Sequence, residues 1–229
     1  MRPLCVIPAR RGSKRLANKN VLPLAGKPML VHTIEAATAS GVFEQVYVSS
    51  EDEEIRSIAE KAGAVAHARP IALAGDLVSA TEVCLEVLQS LARAREDYEA
   101  VVCLQPTSPL RDSEDVRGSW REFIASEADY LVSVTDIDPH YFHWALRQTD
   151  EGWEMYFGDR FMMERPLLPP VCRPNGAIKI GKRGALSLTR NFFGKPLTVY
   201  RMPEARSVHV AEQFDFDVAE YLMQRARAR

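Results

Sequence analysis

Five cations fall within ten residues near the start of the chain: Arg10, Arg11, Lys14, Arg15 and Lys19. Gly12 and Ser13 stand among them, and Asn20 follows. This mixture suits a polyphosphate. A triphosphate carries about four negative charges near neutral pH, so it needs backbone N–H groups at close approach and mobile cations around it. Gly12 permits the approach, and the lysines and arginines supply the charge. Neither GxxxxGK[ST] nor GxGxxG is present, so neither a Walker loop nor a dinucleotide fingerprint is indicated.

The elements around this stretch must place it. Residues 4–9 form an apolar run that reads as a buried strand, and Leu30, Val31, Ile34 and Ala37 then recur at helical spacing behind Pro28. Strands are predicted over 45–49, 100–104, 130–135, 177–180 and 197–201. Helices are predicted around 55–62, 83–91, 113–126 (with Ser113 as N-cap) and 214–225. Strand and helix in alternation imply an α/β chain with a mostly parallel sheet. In such sheets ligands bind beyond the carboxyl ends of the strands, where the basic stretch lies. Gln105, just past a buried strand, falls on the same edge, and its amide can both donate to and accept from a hydroxyl-rich substrate. Pro106 and Pro109 stiffen its loop.

The alternation breaks between about 138 and 172, a stretch rich in aromatic residues, Met and Pro, including Tyr141, Trp144, Trp153 and Met162. It reads as an inserted arm within a single domain of residues 1–229, and its apolar content suits a subunit interface.

Composition narrows the function. The 229 residues carry 29 basic and 31 acidic side chains, a formal net charge of −2, so no broad nucleic-acid or membrane surface is expected. No apolar run approaches the roughly 20 residues needed to span a bilayer. No signal peptide is recognised. Cys5, Cys84, Cys103 and Cys172 are widely spaced without zinc-type spacing. A reducing, cytoplasmic setting is the expectation.

Ordered motifs then add a resemblance. Ile7-Pro8-Ala9-Arg10, Gly12-Ser13-Lys14, Lys19-Asn20, Gly26-Lys27-Pro28, Val48-Ser49-Ser50-Glu51-Asp52, Arg69-Pro70 with Leu73-Ala74-Gly75-Asp76, Leu104-Gln105-Pro106-Thr107-Ser108-Pro109-Leu110-Arg111, Asn175-Gly176-Ala177-Ile178 and Asp215-Phe216 follow one another along nearly the whole chain. Together they resemble the acylneuraminate cytidylyltransferases, the family that activates sialic, pseudaminic and legionaminic acids. The resemblance implies a Rossmann-like nucleotidyltransferase with a small dimerisation arm, acting as a homodimer. It implies transfer of CMP from CTP to a nine-carbon (nonulosonic) sugar acid, with Mg²⁺ or Mn²⁺.

By the same resemblance Arg10, Lys14 and Lys19 are the catalytic cations. Ala9, Gly12, Ser13, Asn20, Arg69 and Ser79, with Arg10 and Lys14, hold the nucleotide. Gln105, Pro106, Thr107, Arg165, Arg173 and Asn175 face the sugar acid; either arginine can grip its carboxylate in a bidentate way that Lys cannot copy. The family's metal-associated D-I-D-T is replaced: His209 and Ala211 stand at the two aspartate positions, so the metal either arrives mainly on the nucleotide phosphates or is held by a different carboxylate, with Asp215 the leading candidate and Glu212 near it. Arg11 stands where the family often has Gly. Arg15-Leu16 resembles the eight-carbon (3-deoxy-manno-octulosonate) cytidylyltransferases, the enzyme alternative; Gln105-Pro106-Thr107-Ser108 argues against it. A degenerate nucleotide-binding regulator is the non-enzymatic alternative, resting on residues 209 and 211 alone.

Overall fold

The computed structural model describes residues 1–227; Ala228 and Arg229, the last two of the expected domain, lie outside the described residues. Among the described residues, eleven strands and seven α-helices follow in chain order, with short 3-10 turns between some of them. β1 is Pro3–Pro8, β2 Pro23–Leu24, β3 Lys27–Pro28, α1 Met29–Ala39, β4 Val46–Ser50, α2 Glu53–Lys61, β5 Val65–Ala68, α3 Ala80–Arg93 and β6 Ala100–Leu104. Then come α4 Ser113–Ala125, β7 Tyr130–Ile137, α5 Pro139–His143, β8 Leu146–Thr149, β9 Gly152–Met155, β10 Val171–Lys182, α6 Arg183–Thr189, β11 Leu197–Arg201 and α7 Gln213–Arg227.

The main sheet has seven strands in the order β11-β7-β10-β6-β1-β4-β5. Only β10 runs antiparallel, against both β6 and β7; the other pairings are parallel. The chain leaves β1 toward β4 on one side and later enters β6 on the other, so the carboxyl ends of β1 and β6 flank a topological switch point. Burial on both faces explains the unbroken apolar runs of β1 and β6. Ile7, Ile34, Val102 and Leu104 belong to the core on one face, Leu4, Val6, Leu88 and Val101 to the core on the other. Each such side chain contributes about 1.5–3 kcal/mol on burial.

Local signals set the helix starts. Asp52 caps α2 by accepting the Ile55 N–H at 2.9 Å. Ser79 and Glu82 form a reciprocal capping box on α3, and Asp112 and Asp115 do so on α4. Asp112 is therefore the N-cap expected at Ser113; the carboxylate of Asp115, three residues on, selects it. Ala25 (φ 48°) and Gly26 (φ 90°) turn the β2–β3 hairpin. Four features were not predicted from the sequence: the β2–β3 hairpin, the short edge strand β5, the helix α6 and the one-turn helix α5 inside the arm.

Within the arm, β8 and β9 form a separate two-stranded hairpin. Tyr141 on α5 (84% exposed) and Trp153 on β9 (68%) stand bare. A ring cluster of Phe142, His143, Phe157 and Phe161 holds the arm together. Along β10 the register with β7 shifts between Pro174 and Lys179. Gly176 sits in this irregularity with φ +77°, a conformation that disfavours any side chain. No helix among the described residues is long and apolar enough to cross a membrane.

Candidate functional site

A cleft of about 280 Å³ opens at the switch point. Pro8 at the end of β1 and the following loop form one side, through Arg10, Gly12, Ser13, Lys19 and Asn20. Arg69, with Val78, Ala80 and Val83 at the start of α3, forms a second. Gln105, Pro106, Thr107 and His209 form the third. Residues separated by almost the whole chain thus converge on one space.

The basic loop is pinned from within. Asn20 Nδ2 donates to Arg10 O at 2.9 Å, and the Ala9 N–H donates to Ser49 O at 3.0 Å. Ala9 is fully buried and does not line the cleft. Arg10 Nη1 meets Asp76 Oδ1 at 2.6 Å, and Lys14 Nζ meets Asp76 Oδ2 at 2.5 Å. Hydrogen bonds from Lys14 and then Arg10 hold the Asp76 carboxyl below its usual pKa. An entering phosphate would compete with Asp76 for these two cations. Arg11 faces away, paired with Glu54 on α2.

Gly12 carries a test. A Cβ built on it would meet no protein atom within 4 Å. Its smallness answers no packing need of the chain and leaves the backbone open to the cleft. Gly12→Ala is expected to keep the wild-type melting temperature while weakening CTP affinity about tenfold, ~1.4 kcal/mol. Calorimetric titration beside a thermal melt reads both.

Lys19 is half-buried, and its Nζ donates to Val210 O at 3.1 Å. Burial, then the Arg15 and Arg10 charges, lowers its pKa. Arg69 is 6% exposed; its Nε donates to Ser49 Oγ at 3.2 Å and its Nη1 lies 3.7 Å from Glu51 Oε2. Burial lowers its pKa, and Glu51 opposes that. Both side chains are held cations with little freedom, which suits electrostatic stabilisation of a bound anion.

The Gln105 loop is fixed from beneath by Arg111, 2% exposed, whose Nη1 donates to Ala177 O at 2.8 Å and Gln105 O at 3.3 Å. Burial lowers its pKa to about 10. His209 lies on the segment before α7. Its Nδ1 is 3.4 Å from Thr107 Oγ1 and 3.5 Å from Ser108 Oγ. Burial and then the Lys19 charge push its pKa down.

Of the residues expected from sequence, Arg10, Gly12, Ser13, Lys19, Asn20, Arg69, Gln105, Pro106 and Thr107 meet in this cleft. Lys14 does not line it; it shares the Asp76 carboxylate with Arg10, which does. Ser79 does not line it: its hydroxyl is engaged in the α3 cap. Arg165 and Arg173 are exposed on the arm and on the outer half of β10, and do not line the cleft; Arg165 lies 3.4 Å from Asp138. Asn175 is 2% exposed, with its amide bonded to Ser133, Ala177 and Ser207. Asp215 caps the start of α7 instead of lining the cleft: its Oδ2 accepts the Ala211 and Glu212 N–H groups at 2.8 and 3.0 Å. Sequence reasoning did not single out Ala80 and Val83 as part of the cleft; their apolar side chains carry no chemical signal of their own.

Comparison with known proteins agrees with this geometry. Residues 4–140 match the family model described as Cytidylyltransferase. Over 220 residues the chain is 34% identical to an N-acylneuraminate cytidylyltransferase of Streptococcus agalactiae, covering 94% of this chain and 52% of that protein. Over 239 residues it is 30% identical to the CMP-N,N'-diacetyllegionaminic acid synthase of Legionella pneumophila, covering 98% and 97%. A CMP:2-keto-3-deoxy-manno-octonic acid synthetase solved with CTP superposes with a TM-score of 0.75 at 17% identity, covering 99% of this chain and 100% of that one. That likeness speaks for a shared α/β nucleotidyltransferase fold. The chain spans about half the length of the N-acylneuraminate cytidylyltransferases it matches. Family model, full-length relative and cleft point one way: the chain belongs to the cytidylyltransferase family.

Proposed function

We propose that the chain transfers CMP from CTP to the anomeric hydroxyl of a nine-carbon, sialic-acid-type sugar acid and releases pyrophosphate. The observation that carries this is the single cleft in which Arg10, Gly12, Ser13, Lys19 and Asn20 face Gln105 and Thr107. One wall suits a triphosphate and the other a polyhydroxylated acceptor. The attacking oxygen bonds to the α-phosphorus while the bond from that phosphorus to the bridging oxygen breaks. Arg10, Lys14 and Lys19 stabilise the charge that grows on the leaving pyrophosphate. Orientation in the cleft supplies the rest.

A divalent cation fits this reading in one way. Among the described residues no three His, Cys, Asp or Glu side chains are grouped to hold a metal. Asp215 has one carboxylate oxygen engaged by two backbone N–H groups, which leaves the other for a ligand. Mg²⁺ or Mn²⁺ would arrive on the nucleotide phosphates and need few protein oxygens; Asp215, at the start of α7, stands outside the cleft lining. Bound there, the cation would draw negative charge from the phosphates.

The arm, with Tyr141, Trp153 and Leu167 exposed, fits a homodimer interface. In such a dimer Arg165 and Arg173 would serve the sugar carboxylate from across the subunit boundary. A cytoplasmic site accompanies this reading, since it draws on CTP. The test is pyrophosphate release with CTP and each of several nine-carbon acids, with the other nucleoside triphosphates in parallel. Release requiring both CTP and one such acid is expected; release with another nucleotide in preference to CTP would overturn the assignment.

A further inference from the structure

The proposed transfer must remove a proton from the attacking hydroxyl. Among the side chains lining the cleft, Arg10, Lys19 and Arg69 are cations, and no carboxylate is present. His209 is the one lining side chain able to accept a proton near neutral pH. From this placement we infer that His209 is the general base of the reaction, its Nε2 taking the proton of the sugar's anomeric hydroxyl. The inference rests on the proposed cytidylyl transfer.

Two hydrogen bonds hold the residue next to His209, and one packing contact is made by its ring. The Val210 N–H donates to Thr107 O at 2.7 Å, and Lys19 Nζ donates to Val210 O at 3.1 Å, so the adjoining residue is tied to both walls. A Cβ on Gly176 would come within 3.1 Å of His209 Nδ1, so the ring packs directly over that glycine. One hydrogen-bond chain accommodates the Nδ1–H tautomer. The Thr107 hydroxyl donates to Gln105 Oε1 at 3.5 Å, leaving its oxygen to accept the Nδ1–H of His209 at 3.4 Å. With the proton on Nδ1, Nε2 carries a lone pair, and Nε2 has no hydrogen-bond partner among the described residues.

The charged groups around the ring favour its neutral form. Lys19 and Arg15 from the loop after β1 and Lys179 on β10 lower its proton affinity; Asp215 on α7 raises it, and burial dominates. The step balances as follows. The hydroxyl O–H bond breaks and Nε2–H forms; the oxygen bonds to the α-phosphorus; the bond from that phosphorus to the bridging oxygen breaks, and its electron pair leaves on pyrophosphate. The imidazolium then returns its proton to water.

The test uses the full chain, His209→Gln and His209→Ala, read by pyrophosphate release at saturating CTP and nine-carbon acid across pH, with CTP affinity by calorimetry. Both variants are expected to bind CTP like the wild type and to lose about 100- to 10,000-fold in kcat. The fall of wild-type kcat at acid pH, as the imidazole takes up its proton, is expected to vanish in both. Added imidazole is expected to restore part of the activity of His209→Ala. A variant that keeps kcat within a few-fold of wild type, retains the acidic fall, or loses CTP binding alongside kcat overturns the role. A wild-type chain that binds CTP yet releases no pyrophosphate with any acid sinks the transfer itself, and this role with it.

Discussion

Lys19→Met is expected to lower kcat for pyrophosphate release about 100- to 1000-fold, the range measured when one preorganised donor to a developing oxyanion is removed. Lys19 lines the cleft beside Arg10 and Asn20, and its side chain is half-buried. A cation in such a place stabilises a growing negative charge more than water can, because its orientation is already set. The same environment disfavours the charge in the free protein: burial, Arg15 and Arg10 all lower the lysine pKa. The folded state therefore holds this ammonium less readily than the unfolded chain does. Replacing it with an apolar side chain of similar length is expected to leave the melting temperature unchanged or raise it, a trade of stability for activity. A variant with wild-type kcat, or one that loses activity only because it unfolds, would remove Lys19 from the chemistry. Steady-state kinetics beside a thermal melt separates these results.

The second large effect is expected at Asn175, and it falls on stability first. Its Oδ1 accepts from Ser133 Oγ at 2.6 Å and the Ala177 N–H at 3.1 Å. Its Nδ2 donates to Ser207 Oγ at 2.9 Å. One amide thus joins β7, the irregular turn of β10 and the segment leading to His209. Asn175→Ala leaves the buried Ala177 N–H without its partner and opens a small void. The expected cost is about 2–4 kcal/mol. Because Gly176 underlies both Gln105 and His209, kcat is expected to fall as well. A residue acting mainly as a sugar ligand would behave differently, with a raised KM for the acid and an unchanged urea midpoint. Chemical denaturation and the KM of the variant decide between bracket and ligand.

Asn175 also shows where the sequence ceases to be legible. The N-G-A-I motif marks an important place, but side chains alternate along a strand, and one irregularity exchanges the faces. The shift between Pro174 and Lys179 is such an irregularity, and nothing in the local pattern announces it. Strand direction was hidden for a related reason: a short strand pattern such as 177–180 reads the same in either sense, and β10 is antiparallel. By contrast, the wall from Arg10 to Asn20 and the Gln105–Thr107 turn were legible, because each is contiguous and follows a strand whose end faces the cleft. Arg165 and Arg173 belong to an arm whose position depends on contacts distant in sequence. Ser79 resembled a ligand, yet Glu82 three residues on already signalled a capping box. His209 was visible as a departure from the family pattern, but its place among cations, with no carboxylate on the same walls, emerges only when residues 10–20, 105–107 and 209 meet.

The most direct test of the account is pyrophosphate release from CTP and Mg²⁺ by the full chain, across a panel of sialic, legionaminic, pseudaminic and eight-carbon acids. The account predicts release with a nine-carbon acid and little with the eight-carbon one. Tight CTP binding with no release for any acid, or release with the eight-carbon acid alone, would contradict it.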